Sequence, residues 1–311
     1  MKEMEPAPFS SGEQSGNISG YLYYAGFRYW AASILPALVG TTLPFWLRPP
    51  AFSFRWIAAI EFVIATVFMH SGFSFLLASV RSKAATSLSE NRLIKYASIF
   101  IVAGCLLGLH LNSNLILRSG VPEYIFILYG LTALFAGALY VLPPFSFHRR
   151  AGGEIVIAEG LGMLPLIGAY LVQVGDITRK VYLASLPLVI ATGLWVWMDE
   201  LARSADDERT GRNTMVTELG PRFCGRYGVS ALSLLFILAI ILSVFSGSVS
   251  PLTLISLLSA GIAWKMVIVS WKEYSFPERM LEMRRLASIL HFAAGSILAA
   301  SSLITMLLEN R

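Results

Sequence analysis

Nine long apolar stretches dominate this chain and leave it few folds to choose from. They fall near 27–47, 54–79, 96–117, 123–143, 154–175, 181–198, 227–246, 250–271 and 287–307. A helix needs roughly 20 apolar residues to cross the hydrocarbon core of a bilayer, and each stretch is of that order. Lipid cannot satisfy exposed backbone groups, so such segments span as helices or as the strands of a closed barrel. Long unbroken apolar runs lack a barrel's alternation. Composition agrees: 56% of residues are hydrophobic, 14% are charged and the mean hydropathy is +0.65, far from a soluble domain. The expected fold class is all-α, a polytopic membrane bundle of about nine transmembrane helices.

Lys and Arg set the expected orientation. One set of connections holds Arg81, Lys83, Arg92 and Lys95, then Arg149 and Arg150, then five arginines between 203 and 226, then Lys272, Arg279, Arg284 and Arg285. The opposite set holds only Arg48, Arg55, Arg118, Arg179 and Lys180. This asymmetry predicts a multi-pass protein of the cell (inner, cytoplasmic) membrane, with the N-terminus and the basic loops in the cytoplasm. The net charge of +5 is then a topology signal and not the footprint of a nucleic-acid binder. Residues 1–26 read as a polar tail without the apolar core of a signal peptide, and 27–311 as one transmembrane domain. Cys105 and Cys224 give neither a disulfide framework nor a metal-ligand spacing.

The longest polar connection follows the sixth stretch, DELARSADDERTGRNTMVTELG at 199–220. If the helix continues past Trp197, Asp199, Arg203 and Asp207 fall at i, i+4 and i+8, with Glu200 beside them. Carboxylates grouped at a membrane mouth suit Mg²⁺, a hard cation that prefers oxygen ligands and is often completed by phosphates. A salt-bridge ladder about Arg203 is the equal alternative. Prolines and glycines in LPPFSFHRRAGGE, 142–154, break helices at the surface.

The run Asp207-x-x-x-Gly211-Arg212-x-Thr214-Met215-x-x-x-Leu219-Gly220 resembles the second signature of the UbiA-type intramembrane prenyltransferases, above all the 1,4-dihydroxy-2-naphthoate branch of menaquinone synthesis. Tyr140-Val-Leu-Pro143-Pro144, Gly153-Glu154, the stretch Gly162 to Gly175, Arg28 and Leu35-Pro36-Ala37 extend the likeness over nearly the whole chain. The resemblance implies helices around a central cavity, an isoprenyl diphosphate held through Mg²⁺ by two Asp-rich motifs, and an aromatic acceptor alkylated beside it.

The sequence departs from that pattern at the first motif. No Asp or Glu occurs between Glu61 and Glu90, and in the second motif the first Asp position is Arg203 and the Asn position is Asp199. Two consequences compete: cations replace metal as the diphosphate's partners, or diphosphate chemistry is lost. On the first, Arg81, Lys83, Arg203 and Arg212 hold diphosphate, since arginine forks match phosphate oxygens. Asp199, Glu200, Asp206 and Asp207 would hold whatever Mg²⁺ remains. Polar residues inside membrane spans are costly and therefore worth weighing. His70 and Glu159 are the candidate catalytic groups, with a hydrogen-bonded interior histidine and a packing carboxyl as the plainer alternatives. Phe73, Phe75, Tyr140 and Trp195 are candidate pocket residues, aromatic belt positions being the alternative. A prenyltransferase acting on a quinone-precursor acceptor leads these readings, ahead of a terpene cyclase of the same fold and a noncatalytic lipid or quinone binder.

Overall fold

The computed structural model describes residues 18–48, 52–81, 89–119 and 123–309. Nine helices among them are long and apolar enough to cross a membrane: spans one to nine run Phe27–Leu47, Trp56–Val80, Glu90–Asn114, Tyr124–Val141, Gly153–Val174, Arg179–Arg209, Pro221–Phe245, Pro251–Glu273 and Pro277–Leu308. The chain is thus a polytopic helical membrane bundle, as the apolar stretches require. Two spans outrun their apolar cores. Span six continues as helix to Arg209, where charged helix formers and the i,i+4 pair Arg203–Asp199 carry it onward. Span nine begins at Pro277, an N1 proline whose missing N–H costs nothing there.

The end of the expected polar tail is not a tail. Ile18–Tyr24 forms a helix. Tyr21 packs edge-on against Tyr96, and Ala25 is buried with Phe75, Leu93 and Ala97. Its aromatic run, YLYY, has apolar area to bury and finds spans two and three.

The main core lies among spans one and five to nine, around Leu166, Leu188, Leu194, Met198, Phe236, Met266 and Leu290. Small residues let these helices approach closely, since in lipid packing drives association more than water exclusion does. A Cβ on Gly40 would sit 2.0 Å from the backbone oxygen of Leu166, and one on Gly162 would sit 2.8 Å from Val189 Cα. The neighbour at Gly40 is backbone and cannot rotate away. Gly40→Ala is therefore expected to cost about 1–3 kcal/mol, the usual penalty of overpacking. A lowered melting temperature of the purified protein would show it; an unchanged one would mean that spans one and five do not meet as described.

Span five is interrupted. Helix Gly153–Ala158 passes into a π turn, Glu159–Met163, before helix Leu164–Val174. Pro165 has no N–H to return to the preceding turn, which loosens the ladder there. Tyr129 of span four donates its hydroxyl to Leu164 O at 2.6 Å. Spans two, three, four and five thereby part around a cavity of about 370 Å³. One end of it is closed by Phe62, Leu111 and Phe126, which are buried together with Ala37 and Ala169.

Candidate active site

The cavity wall is almost entirely apolar. Among the candidate residues, His70, Phe73 and Tyr140 line it, together with Ser33, Ser74 and Asn112. The Phe73 ring fits because Gly137 opposite has no side chain; a Cβ there would come within 2.4 Å of the ring. Ser33 Oγ donates to Trp30 O at 3.1 Å and lies 3.0 Å from His70 Nδ1. With the hydroxyl proton on Trp30 O, Nδ1–H donates to Ser33 and Nε2 is the acceptor; with that proton on Nδ1, Nε2 carries the ring proton.

Three expected residues are elsewhere. Phe75 points between spans two and three, stacked on Phe100 and tilted against Tyr96, and is 2% exposed. It lies two residues from Phe73, about 200° round the helix. Trp195 is core, packed between Tyr29 and His291. Glu159 opens the π turn, is exposed and is not part of the cavity wall, although its neighbours Gly160 and Leu161 are.

At the end of the bundle that carries the basic loops, span six presents two faces. A four-residue step turns a helix by about 400°, so eight residues drift by about 80°. Asp199 and Arg203 look one way; Glu200 and Asp207 look another. Both Asp207 oxygens accept from Arg212 Nη1, at 3.0 and 3.2 Å, and Arg212 Nε donates to His148 O at 2.7 Å. Arg212 also approaches Glu200 at 3.8 Å. Across from them Glu154, opening span five, accepts from Met215 N–H at 2.6 Å and Gly152 N–H at 2.9 Å. Asn213 N–H bonds Arg149 O at 3.0 Å, and Thr214 caps the short helix Met215–Leu219 through Thr217 N–H. The stretch 207–220 is a loop braced onto the start of span five.

On the other face Asp199 Oδ1 accepts from Arg203 at 3.1 Å and from Arg284 of span nine at 2.8 Å. Tyr29 packs on Trp195, one helical turn before Asp199. Arg284 was invisible to spacing on span six; only its position near the start of span nine hinted at the basic end. Asp206 is exposed and pairs with Arg209 at 3.2 Å. The four acids expected to share a metal are thus spread over three environments. Arg203 and Arg212 likewise face apart. The side chain of Arg81 and the whole of Lys83 lie outside the described residues. Deeper along spans two and three, Glu61 pairs with His110, which Asn114 contacts at 3.2 Å.

Residues 79–289 match the UbiA prenyltransferase family. The chain belongs to that family. Solved structures agree on the UbiA fold: a digeranylgeranylglyceryl phosphate synthase has a TM-score of 0.63 at 11% identity, over 92% of this chain and 98% of that one. A UbiA homologue from Archaeoglobus fulgidus bound to DMAPP and Mg²⁺ has a TM-score of 0.59 at 14% identity, over 90% and 99%. The apo UbiA homologue from Aeropyrum pernix K1 scores 0.62 at 16% identity, over 90% and 98%. No curated protein matches the sequence significantly.

Mg²⁺ fits the acids of this UbiA chain poorly. A hard cation needs about six oxygens, yet the carboxylate oxygens of Asp199 Oδ1, Asp207 and Glu154 already accept from N–H groups. Among the described residues no group of three or more His, Cys, Asp or Glu is placed to hold a metal ion.

Proposed function

We propose that this protein transfers an isoprenyl group from a polyprenyl diphosphate to an aromatic, quinone-precursor acceptor of the 1,4-dihydroxy-2-naphthoate kind. The observation that carries the reading is a cavity of about 370 Å³, apolar but for His70 and a few hydroxyl and amide groups. The chain belongs to the UbiA prenyltransferase family, and at the end of the bundle that carries the basic loops Arg203 and Arg284 share Asp199. Transfer breaks the bond between prenyl C1 and its bridging oxygen, whose electron pair leaves with the diphosphate. A ring carbon of the acceptor bonds to C1 and then loses its proton. Fixed positive charge at the mouth stabilises the departing diphosphate, and an apolar cavity keeps water from the allylic cation.

Arg203 suits the diphosphate role, with Arg81 and Lys83 at the end of span two as its expected companions. Arg212 is better assigned to bracing the loop, because its fork is taken up by Asp207 and His148 O. His70, with Nε2 as acceptor, suits the role of the base that takes the ring proton, and Phe73 and Tyr140 that of the walls of the acceptor pocket. His70→Ala should lower kcat about 100-fold, as loss of a general base does, with KM for the diphosphate little moved. Equal kcat in variant and wild type would remove His70 from the chemistry.

The reaction is tested with purified protein, a series of polyprenyl diphosphates, and naphthoate or hydroxybenzoate acceptors, products being identified by mass. A prenylated acceptor is the expected result. A cyclised hydrocarbon formed from the diphosphate alone would make this a terpene cyclase. Co-purification of a neutral lipid without diphosphate binding would make it a noncatalytic binder.

A further inference from the structure

We infer that Asp199 and the two guanidinium groups clamped on it form a diphosphate site that works without a divalent cation, with Arg284 as an anchoring ligand alongside Arg203. The inference rests on the prenyl diphosphate reading above and specifies how that ligand's charge is met.

Asp199 Oδ1 accepts from both Arg203 and Arg284. Two positive groups share one carboxylate, so the cluster keeps an excess positive charge where the Asp-rich pattern would place negative charge for metal. A divalent ion drawn to Asp199 would sit beside two guanidinium groups already held on Oδ1, pressing three cations together. Asp207 offers no replacement, since Arg212 covers both its oxygens. Beyond Glu61, which pairs with His110, span two contributes no carboxylate either, because residues 62–89 contain no Asp or Glu.

The cluster is built to receive an anion. A guanidinium carries five N–H donors in a planar fork, and one from each arginine goes to Asp199, which fixes the two forks beside each other. The Arg284 side chain is 20% exposed and that of Arg203 44%, so one is an anchored wall and the other reaches outward. Carboxylate and phosphate oxygens suit the same fork geometry. A chain of contacts leads from the cluster toward the cavity. Tyr29 packs on Trp195, one helical turn before Asp199, and is itself one turn before Ser33, which lies 3.0 Å from His70 Nδ1 in the cavity wall. A diphosphate on the arginines would therefore have its prenyl chain directed past His70.

Binding of geranyl diphosphate to the purified full chain, in excess EDTA and in Mg²⁺, tests this. Affinities within about twofold of each other are expected. Arg284→Gln should weaken binding in EDTA about tenfold, the worth of one charge-assisted hydrogen bond, and Arg284→Lys should restore part of it. Binding of geraniol, which lacks the diphosphate, should be the same in Arg284→Gln and wild type, whereas a merely structural role would lower it. Affinity lost in EDTA and restored by Mg²⁺ would overturn the inference and leave the prenyl diphosphate reading standing. No binding in either condition would overturn that reading, and this inference with it.

Discussion

Replacing Arg212 with alanine will lower the stability of this protein more than removal of any other surface-loop charge, by about 3–5 kcal/mol. That is the usual cost of breaking a buried ion pair from one side. The Asp207 side chain is 7% exposed and has its oxygens on Arg212, and Glu200, equally buried, has Arg212 as its nearest cation at 3.8 Å. The alanine variant strands the Asp207 carboxylate in a buried setting and also releases His148 O. Arg212→Lys will recover only part of the loss, since a point charge cannot hold both Asp207 oxygens and a carbonyl together. Chemical denaturation in detergent reads the difference. An Arg212→Ala variant as stable as wild type would show that the loop 207–220 is not braced onto span six and the connection before span five through this residue.

The second large effect is on activity without stability. A Cβ on Gly130 or Gly160 meets no heavy atom within 4 Å, and both glycines line the cavity. Gly130→Phe and Gly160→Phe will therefore put a ring into open space and fill it. Binding and turnover of prenyl diphosphates should be abolished, while the melting temperature stays that of wild type. Gly168→Phe makes the contrast: there a Cβ would come within 2.2 Å of Tyr129 Oη and 2.5 Å of the Phe62 ring, so folding itself should suffer. If the cavity-filling variants turn over normally, the prenyl chain binds elsewhere.

What the sequence made legible follows from what is local. Apolar length is a local property, and all nine spans were readable from it. The spacing Asp207 to Gly220 marked a structured loop because its turn and cap residues, Gly211, Thr214 and Gly220, are near neighbours in the chain. Partners contributed by other helices were not readable. Nothing on span six announces that Asp199 meets Arg284, 85 residues away, or that Glu154 takes Met215 N–H, 61 residues away. Helical drift was underrated as well. Placing Asp207 on the Asp199 face ignored the 80° that eight residues accumulate, and that angle separates a loop brace from a ligand site. Phe75 and Trp195, candidates for the pocket, are buried between other helices, because hydrophobicity does not say which of two apolar neighbours a ring will choose. Glu159, five residues after Glu154, lies about 140° round the helix from it and does not share its face.

The central claim, that an isoprenyl chain lies between spans two and five with its diphosphate at the arginine mouth, is most directly measured by photo-crosslinking. A polyprenyl diphosphate carrying a diazirine near the end of its chain would be bound to the purified protein in nanodiscs and irradiated, and the labelled peptides mapped. The account predicts label on the cavity-facing residues of spans three and four, around Cys105 to Asn112 and Phe126 to Leu134, removed by excess unlabelled diphosphate. Label confined to outward-facing positions such as Phe245 and Leu258, or label that unlabelled diphosphate does not displace, would contradict it.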